Sequence, residues 1–392
     1  MNYVERFEKL GFGLFVHFGL YSVIGKGEWY LHSRPDEKER YEKLPASFKI
    51  NKNWAKELAK TAKAAGCKYI TITTRHHDGF SLYDTCGLSD YDSVHSASGR
   101  DLMREFVDAC NEYGLLPFFY HTMLDWHEKS YTEDFAAYND YLIKSVELLC
   151  KNYGKIGGLW FDGMWDRADG WEEDRLYATI RKYQPEAMII NNTGLSACGK
   201  VGHPEIDSVT FERGKPAFVD NSDKHRAGEM CQVLNDHWGY AAEDCNYKSV
   251  SELLSNLIDC RKYNCNFLLN TGLRGNGSVT PLDKYLLERV GKWIKKNKGF
   301  IYNVRACDIE CENADVLTDG KYYYAVVKDV PMSYDPNVQR AVADKGNIAI
   351  SGIKQAVWLD NGKKIAVEKD GFKVEPFYYG ESYYARVAKF KM

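Results

Sequence analysis

Residues 157–166, with the sequence GGLWFDGMWD, join a short apolar run to an acidic residue and two indole side chains. A short apolar run bounded by glycines is typical of a strand buried on both faces. Asp162 ends this run, and the C-terminal end of a parallel strand is where α/β proteins place catalytic groups. Because Asp-Gly is also a common turn dipeptide, these residues alone are as consistent with a structural turn as with a catalytic carboxylate.

Other polar side chains occupy comparable positions, each directly after an apolar run. In a parallel barrel the C-terminal ends of all strands meet at one mouth. That mouth is predicted to collect His17, His76, His77, Tyr120, Asp162, Asn191, Asn192 and Glu212, with Glu28, Trp29, Trp160 and Trp238 nearby in sequence. Each residue alone has an ordinary structural explanation, but their shared position indicates a catalytic site.

Two chemistries fit this set of residues. Three histidines with carboxylates can bind a metal ion for hydrolysis. Metal sites usually take two ligands from one face, however, and the adjacent His76 and His77 would point to opposite sides of a continuing strand. Alternatively, Asp162 and Glu212 can act as the carboxylate pair of a glycoside hydrolase, one as nucleophile and one as acid/base. This second chemistry predicts a site with no metal and no organic cofactor.

Apolar runs alternate with amphipathic segments through most of the chain. Eight runs have the composition of buried strands: 12–19, 69–74, 115–120, 156–162, 188–192, 208–211, 230–234 and 266–270. Helical periodicity separates them, with Thr132 and Thr280-Pro281 as predicted helix starts. Eight strand–helix repeats predict a (β/α)8 TIM-like barrel. A doubly wound open sheet is the alternative, but no GxGxxG motif follows the first strand.

The pattern changes after residue 305. Asp319-Gly320 and Asp360-Asn361-Gly362 each separate two short β-type runs, which is the signature of a hairpin. The last run, 382–390, has the composition of a final strand. The sequence thus predicts a catalytic barrel, residues 1–302, followed by a small antiparallel β-sandwich, residues 303–392.

The composition narrows the classes of partner. The 392 residues carry a formal net charge of −3 without long basic runs, which argues against nucleic acid or an anionic membrane as partners. The sequence shows neither a signal peptide nor an apolar stretch of transmembrane length. Eleven cysteines without a CxxC pair fit a reducing compartment. We therefore expect a cytoplasmic protein, and the sequence leaves a homo-oligomer open.

Four blocks of sequence carry a resemblance to a known family. They are HFGLYS with GKGEWY (17–30), RHHDGF (75–80), LWFDG (159–163) and NFLLNTGLRGNG (266–277). Together and in this order they resemble the family 29 glycoside hydrolases, the α-L-fucosidases. The resemblance covers the whole predicted barrel and is also consistent with a C-terminal β domain. Arg75 and the run SLYDT after Phe80 depart from the family pattern, which expects Lys and LWDS there.

The resemblance implies a retaining hydrolase that acts on terminal α-L-fucosyl groups of oligosaccharides. Asp162 matches the family nucleophile, and Glu212 is the best match for the acid/base, with Glu229 and Glu28 as the other candidates. The residues that match sugar contacts are His17, Glu28, Trp29, His76, His77, Tyr120 and Trp160. The alternative is a catalytically silent relative, or one with altered specificity, for example for L-galactosides.

Overall fold

Eight parallel strands pair in chain order and close into a barrel in the computed structural model, which describes residues 1–330, 332–333 and 346–392. The strands are β1 Phe12–His17, β2 Tyr69–Arg75, β3 Leu116–Thr122, β4 Gly158–Asp162, β5 Met188–Asn191, β6 Ser208–Glu212, β7 Ala227–Val233 and β8 Cys265–Gly272. Strand β8 pairs with β1, with Phe12 opposite Phe267. The predicted barrel is confirmed, although β7 begins earlier than the predicted run 230–234.

Six long helices accompany the barrel strands. They span Trp54–Ala65, Leu102–Tyr113, Phe135–Asn152, Glu173–Tyr183, Val250–Lys262 and Pro281–Lys296. Short α-helical turns span Tyr3–Glu8, Tyr21–Ile24, Tyr30–Ser33, Lys38–Tyr41 and Ser130–Glu133, and 3-10 turns span Pro35–Glu37, Leu44–Ser47, Met164–Asp166, Leu195–Ala197 and Phe300–Tyr302. The predicted start at Thr280-Pro281 is confirmed, since Thr280 caps the last helix by accepting the Asp283 N–H. Within the described part of the chain, no helix combines the length and apolar character that a membrane crossing needs.

Two of the eight predicted strand–helix repeats lack their helix. Residues 192–207, between β5 and β6, and residues 213–226, between β6 and β7, contain no α-helix. Both segments are rich in glycine, proline and charged residues and offer no apolar stripe that could pack on the barrel. The first segment instead places residues 193–196 at the mouth of the barrel.

The third long helix begins later than the predicted start at Thr132. Its first residue is Phe135, because the Asp134 side chain accepts the Ala137 backbone N–H and caps the helix there. Thr132 lies in the separate helical turn before it and donates its hydroxyl to the Lys129 carbonyl at 3.2 Å. A side-chain cap two residues further along therefore sets the true start.

Aromatic side chains fill the barrel interior up to its C-terminal end. At the bottom, Phe7 from the N-terminal turn places its ring 5.6 Å from the rings of both Tyr69 and Phe118. Higher up, the rings of Tyr120 and Trp160 stack at 5.7 Å. Because the lower part is packed, space for a ligand remains at the level of the C-terminal strand ends.

The described residues after the barrel form a mainly antiparallel β region. Its strands are β9 Arg305–Ala306, β10 Asp315–Thr318, β11 Tyr323–Val327, β12 Met332–Ser333, β13 Asn347–Ile348, β14 Gln355–Trp358, β15 Lys364–Ile365, β16 Val367–Glu368, β17 Gly371–Lys373, β18 Phe377–Tyr378 and β19 Arg386–Lys391. The largest sheet has the order β15-β14-β19-β11-β10-β9, beside sheets β13-β17-β16 and β12-β18. Both predicted hairpins are confirmed as the pairs β10–β11 and β14–β15, and the division of the chain at residue 302 stays a prediction.

Candidate active site

A cavity of about 900 Å³ lies at the C-terminal ends of the barrel strands. Its lining includes His17, Glu28, Trp29, His76, His77, Tyr120, Trp160, Asp162 and Glu212, together with Asn192 and Trp238. The structure therefore brings together all nine residues that the sequence analysis named for catalysis or sugar contact. Asn191, expected at the same mouth, instead directs its amide Nδ2 to the Tyr177 hydroxyl at 3.1 Å.

Asp162 is the last residue of β4 and accepts three hydrogen bonds at the cavity floor. Its Oδ1 accepts from Asn192 Nδ2 and from Trp165 Nε1, both at 3.2 Å. Its Oδ2 accepts from the Tyr120 hydroxyl at 2.9 Å. The next residue, Gly163, has φ 88° and turns the backbone away, so that the main chain does not cover the carboxylate at the strand end. These contacts fix the carboxylate plane before any ligand binds.

Glu212 is the last residue of β6, two strands along the barrel from Asp162, and also lines the cavity. Its Oε2 accepts from the same Asn192 Nδ2, at 2.7 Å. One amide nitrogen thus contacts both carboxylates, so the two accepting oxygens lie within about 6 Å of each other, closer than the roughly 6.5–9.5 Å of an inverting glycoside hydrolase. Burial, and then the nearby charge of Asp162, raises the pKa of Glu212 to about 7, which favours the protonated form that an acid catalyst needs.

The two other candidate glutamates occupy different positions. Glu229 lies inside the barrel, where its carboxylate accepts from the Tyr69 hydroxyl and, at 3.0 Å, from Trp160 Nε1. Burial raises the pKa of Glu229 to about 7 as well, but its side chain does not line the cavity. Glu28 does line the cavity, yet its Oε2 accepts the Gly239 backbone N–H at 2.7 Å. Position, rather than pKa, therefore separates Glu212 from Glu229.

His17 is held in a single tautomer. Its Nδ1 lies 2.7 Å from Asn270 Oδ1, and Asn270 Nδ2 donates to the Trp238 carbonyl at 2.7 Å. Since that second bond fixes the amide orientation, His17 Nδ1 must carry the hydrogen. Burial lowers the pKa of His17 to about 3, so the ring is neutral. Its Nε2 is then a hydrogen-bond acceptor in the cavity wall.

His77, which follows the neighbouring strand β2, has the same pattern. The Thr122 hydroxyl donates to the Leu124 carbonyl at 2.5 Å and therefore accepts from His77 Nδ1 at 2.7 Å. His77 Nε2 lies 3.6 Å from Asp162 Oδ2. Burial lowers the pKa of His77, although the charge of Asp162 opposes this effect. A second neutral imidazole acceptor thus stands beside the carboxylate.

The adjacent histidines both face the cavity, contrary to the alternation expected for a continuing strand. Strand β2 ends at Arg75, with a shift in its register to β3 between Thr73 and Arg75, so His76 and His77 lie in the turn that follows. Burial lowers the pKa of His76 as well. Even with both rings at the site, no group of three or more His, Cys, Asp or Glu side chains in the described residues is placed to hold a metal ion.

Aromatic rings form the remaining walls of the cavity. Phe15 lies between Trp160 and Trp238, with ring centroids at 5.0 and 5.8 Å. At the rim, Trp29 and Trp165 stack with centroids 6.2 Å apart, and they are 37% and 44% exposed. Trp165 was not among the predicted site residues. Its only sequence signal is its place three residues after Asp162, within the same turn.

Known proteins are similar to this chain in sequence and architecture. The family model described as Alpha-L-fucosidase matches residues 1–299. The chain belongs to the α-L-fucosidase family. Tissue alpha-L-fucosidase of Bos taurus is 24% identical over 359 residues, which cover 83% of this chain and 75% of the relative.

Solved structures of α-L-fucosidases have the same fold. Alpha-L-fucosidase isoenzyme 1 from Paenibacillus thiaminolyticus is 30% identical, with a TM-score of 0.84 and coverage of 99% of this chain and 98% of that one. A family 29 α-L-fucosidase from Bacteroides thetaiotaomicron, captured as a trapped covalent intermediate, is 20% identical with a TM-score of 0.81 and coverage of 99% and 95%.

The departure from the α-L-fucosidase pattern at Arg75 lies away from the cavity. The Arg75 side chain is fully buried, with Nε 3.6 Å from Asp125 Oδ2 and the guanidinium 4.8 Å from the Tyr141 ring. Asp125 in turn accepts the backbone N–H groups of His127 and Glu128. Arg75 therefore stabilises the segment that packs behind the turn of His76 and His77, and it does not contact a ligand.

Proposed function

We propose that this chain is a retaining α-L-fucosidase that uses Asp162 as nucleophile and Glu212 as acid/base. The observation that carries the proposal is the pair of carboxylates within about 6 Å of each other in the lining of one cavity, closer than in an inverting enzyme. Family membership supports the sugar, and the trapped intermediate of the Bacteroides relative supports the covalent mechanism. Both carboxylates are present, which disfavours a catalytically silent relative.

The hydrogen bonds of Asp162 select the attacking oxygen. Each carboxylate oxygen has two lone pairs in its plane, and Oδ1 uses both, for Asn192 and Trp165. Oδ2 accepts only from Tyr120 among the described residues and keeps one lone pair. That lone pair forms the bond to the anomeric carbon, while the glycosidic bond breaks and its electron pair goes to the leaving oxygen.

Glu212 supplies and recovers the proton. In the first step it donates its proton to the leaving oxygen. In the second step a water oxygen bonds to the anomeric carbon, its proton passes to Glu212, and the electron pair of the ester bond returns to Asp162. The pKa of about 7 suits both duties near neutral pH.

The cavity walls match the two faces of fucose. His17 and His77 present neutral acceptor nitrogens, and Glu28 and His76 add further polar groups, all suited to the sugar hydroxyls. The apolar wall of Phe15, Trp160, Tyr120 and Trp238 suits the methyl group and the apolar face of the ring. We assign the rim indole of Trp29 to the same sugar or its neighbour.

The setting that we propose is a reducing, cytoplasmic one, with fucosylated oligosaccharides as substrates. All eleven cysteines are free thiols, and several, including Cys67, Cys110 and Cys260, are buried. We further propose that residues 1–302 form the catalytic domain and residues 303–392 an accessory β domain, since strand pairing changes from parallel to mainly antiparallel after the barrel.

The test is hydrolysis of 4-nitrophenyl α-L-fucoside by the wild type and by Asp162→Ala. We expect turnover in the wild type, its loss in the variant, and formation of β-fucosyl azide when azide replaces the missing carboxylate. Asp169→Ala, which removes an exposed carboxylate from the loop after β4, should keep full activity. Full activity in Asp162→Ala would refute the assignment of Asp162 as nucleophile. Hydrolysis of L-galactosides but not of fucosides would refute fucose as the substrate sugar.

A further inference from the structure

Asn192 follows β5 and joins the two carboxylates through a single amide group. Its Nδ2 donates to Glu212 Oε2 at 2.7 Å and to Asp162 Oδ1 at 3.2 Å. Its Oδ1 accepts from the Thr210 hydroxyl at 3.0 Å and from the Gly194 backbone N–H at 3.4 Å. Because a backbone N–H can only donate, the atom that faces Gly194 is the amide oxygen. The NH₂ group must therefore face the carboxylates, with one hydrogen for each.

This arrangement decides which oxygen of Glu212 carries the acid proton. Oε2 accepts the Asn192 hydrogen at a short distance, so a proton on that oxygen would compete with the bond. We propose that Asn192 is a positioning residue that confines the acid proton of Glu212 to Oε1 and favours ionised Glu212 between the two half-reactions. The inference rests on the proposed function, because it assigns Glu212 the acid/base role.

Some ionisable groups around Glu212 raise its pKa, and others lower it as Asn192 does. The burial of Glu212 and the charges of Asp162 and Glu28 raise its pKa, whereas the Asn192 hydrogen bond and the Arg213 guanidinium lower it. Tyr120 and Cys231 are near this carboxyl group as well: burial raises the pKa of both, and the charge of Glu212 adds to the effect. Among the groups that favour the ionised form, Asn192 is the one in direct hydrogen-bond contact within the described residues.

The two steps of the reaction use this contact differently. In the first step the proton leaves Oε1 for the leaving oxygen as the glycosidic bond breaks, and the Asn192 bond becomes charge-assisted and stronger. In the second step Oε1 takes a proton from water as the water oxygen bonds to the anomeric carbon. Without the amide, the proton can occupy either oxygen, and half of the orientations point away from the leaving group.

The test compares the wild type with Asn192→Ala in a pH profile of kcat/KM. Loss of the bond raises the pKa of Glu212, so the variant should remain protonated, and active, to a pH about one unit higher. At the same time its kcat/KM on a fucosylated oligosaccharide should fall about tenfold more than on 4-nitrophenyl α-L-fucoside, because the poor leaving group depends more strongly on the proton. If Asn192 had only a structural role, its loss would lower activity without moving the alkaline limb of the pH profile.

Asn191→Ala is the matched control. It removes the same side chain from the neighbouring position, where the amide contacts Tyr177 and Met164 instead of a carboxylate. We expect it to lower the thermal midpoint without moving the alkaline limb. If Asn191→Ala and Asn192→Ala move the limb equally, or neither moves it, the inference is overturned.

A second readout does not depend on activity. In carbon-13 NMR, the carboxyl signal of Glu212 is the one that disappears in Glu212→Gln, and its titration gives the pKa directly. We expect a titration midpoint near 7 in the wild type, because burial and the charge of Asp162 raise the pKa of Glu212 to about 7. The midpoint should be higher in Asn192→Ala. Equal midpoints would overturn the inference. If the wild type hydrolyses no fucoside, the proposed function fails while this titration still decides the role of Asn192.

Discussion

Glu212 and Glu229 carry the same functional group, and burial raises the pKa of both to about 7. Glu229 directs its carboxylate to Tyr69 and Trp160 inside the barrel, where it joins the packed interior. Glu212 faces the cavity and the charge of Asp162. A raised pKa at a buried carboxylate therefore marks a catalytic acid only when the group also reaches the ligand.

The raised pKa of Glu212 predicts the shape of the pH profile. The first step needs protonated Glu212, so kcat/KM should fall as the pH rises through about 7. Glu212→Gln should abolish this alkaline limb on 4-nitrophenyl α-L-fucoside and suppress hydrolysis of fucosylated oligosaccharides about a hundredfold or more. Kinetics between about pH 5 and 9 on both substrates measure this. An unchanged limb in the variant would remove Glu212 from the acid/base role.

Among the elements, β4 shows how far local sequence can predict a site. The apolar run, the following Asp-Gly turn and the barrel alternation together placed Asp162 at a strand end, because these signals lie within a few residues of one another. The orientation of His76 and His77 toward the cavity could not be predicted from local sequence in this way. Both His76 and His77 reach the cavity because the pairing of β2 with β3 shifts between Thr73 and Arg75, and that register depends on another strand.

The loops that follow β4 and β5 were also beyond local prediction. Trp165 reaches Asp162 because Met164–Asp166 forms a 3-10 turn, which the sequence of this segment did not indicate. The missing helices after β5 and β6 leave glycine-rich and charged segments whose course depends on tertiary contacts. Asn192, at the start of the first of these segments, acquires its partners from β4 and β6.

The turn after β4 should not tolerate a side chain. Gly163 has φ 88°, and a Cβ there would lie 2.6 Å from the Leu124 Cβ. Gly163→Ala should therefore displace Asp162 and lower kcat/KM at least tenfold, with a lower thermal midpoint. Gly154→Ala is the control, since Gly154 also has positive φ, 72°, but nothing within 4 Å of its Cβ position. Kinetics and thermal unfolding of both variants measure the difference, and equal kinetics would refute it.

At the scale of the whole molecule, polar contacts join the barrel to the C-terminal β region, one of them buried and one partly exposed. Trp293 in the last barrel helix donates its Nε1 to the Ala385 carbonyl at 2.9 Å. Lys328 lies 2.6 Å from Asp259 and 2.9 Å from Asp315, one carboxylate from each part. Contacts of this kind tie the stability of the two parts together.

A pair of tryptophan variants tests this connection. Trp293→Phe leaves the Ala385 carbonyl without its donor and should destabilise the protein by about 1–3 kcal/mol, because an unsatisfied buried carbonyl is costly. Trp358→Phe is the matched control: Trp358 is equally buried, but its Nε1 has no hydrogen-bond partner in the described residues. Denaturant unfolding should show a larger loss for Trp293→Phe, with kcat unchanged in both. Equal losses would mean that the bond contributes nothing.

The pairing of β1 with β8 closes the barrel, so it also sets how early in synthesis the cavity can form. The Gly11 N–H bonds to the Asn266 side chain, 255 positions further along the chain, and β1 pairs with β8 over six residues. Contacts this distant in sequence form slowly, because the intervening chain must first lose its conformational freedom. Until β8 has left the ribosome, β1 exposes an unpaired edge that can associate with other chains. The barrel therefore cannot close before residue 272 has been synthesised, and the cavity at its mouth is complete only in the last third of synthesis.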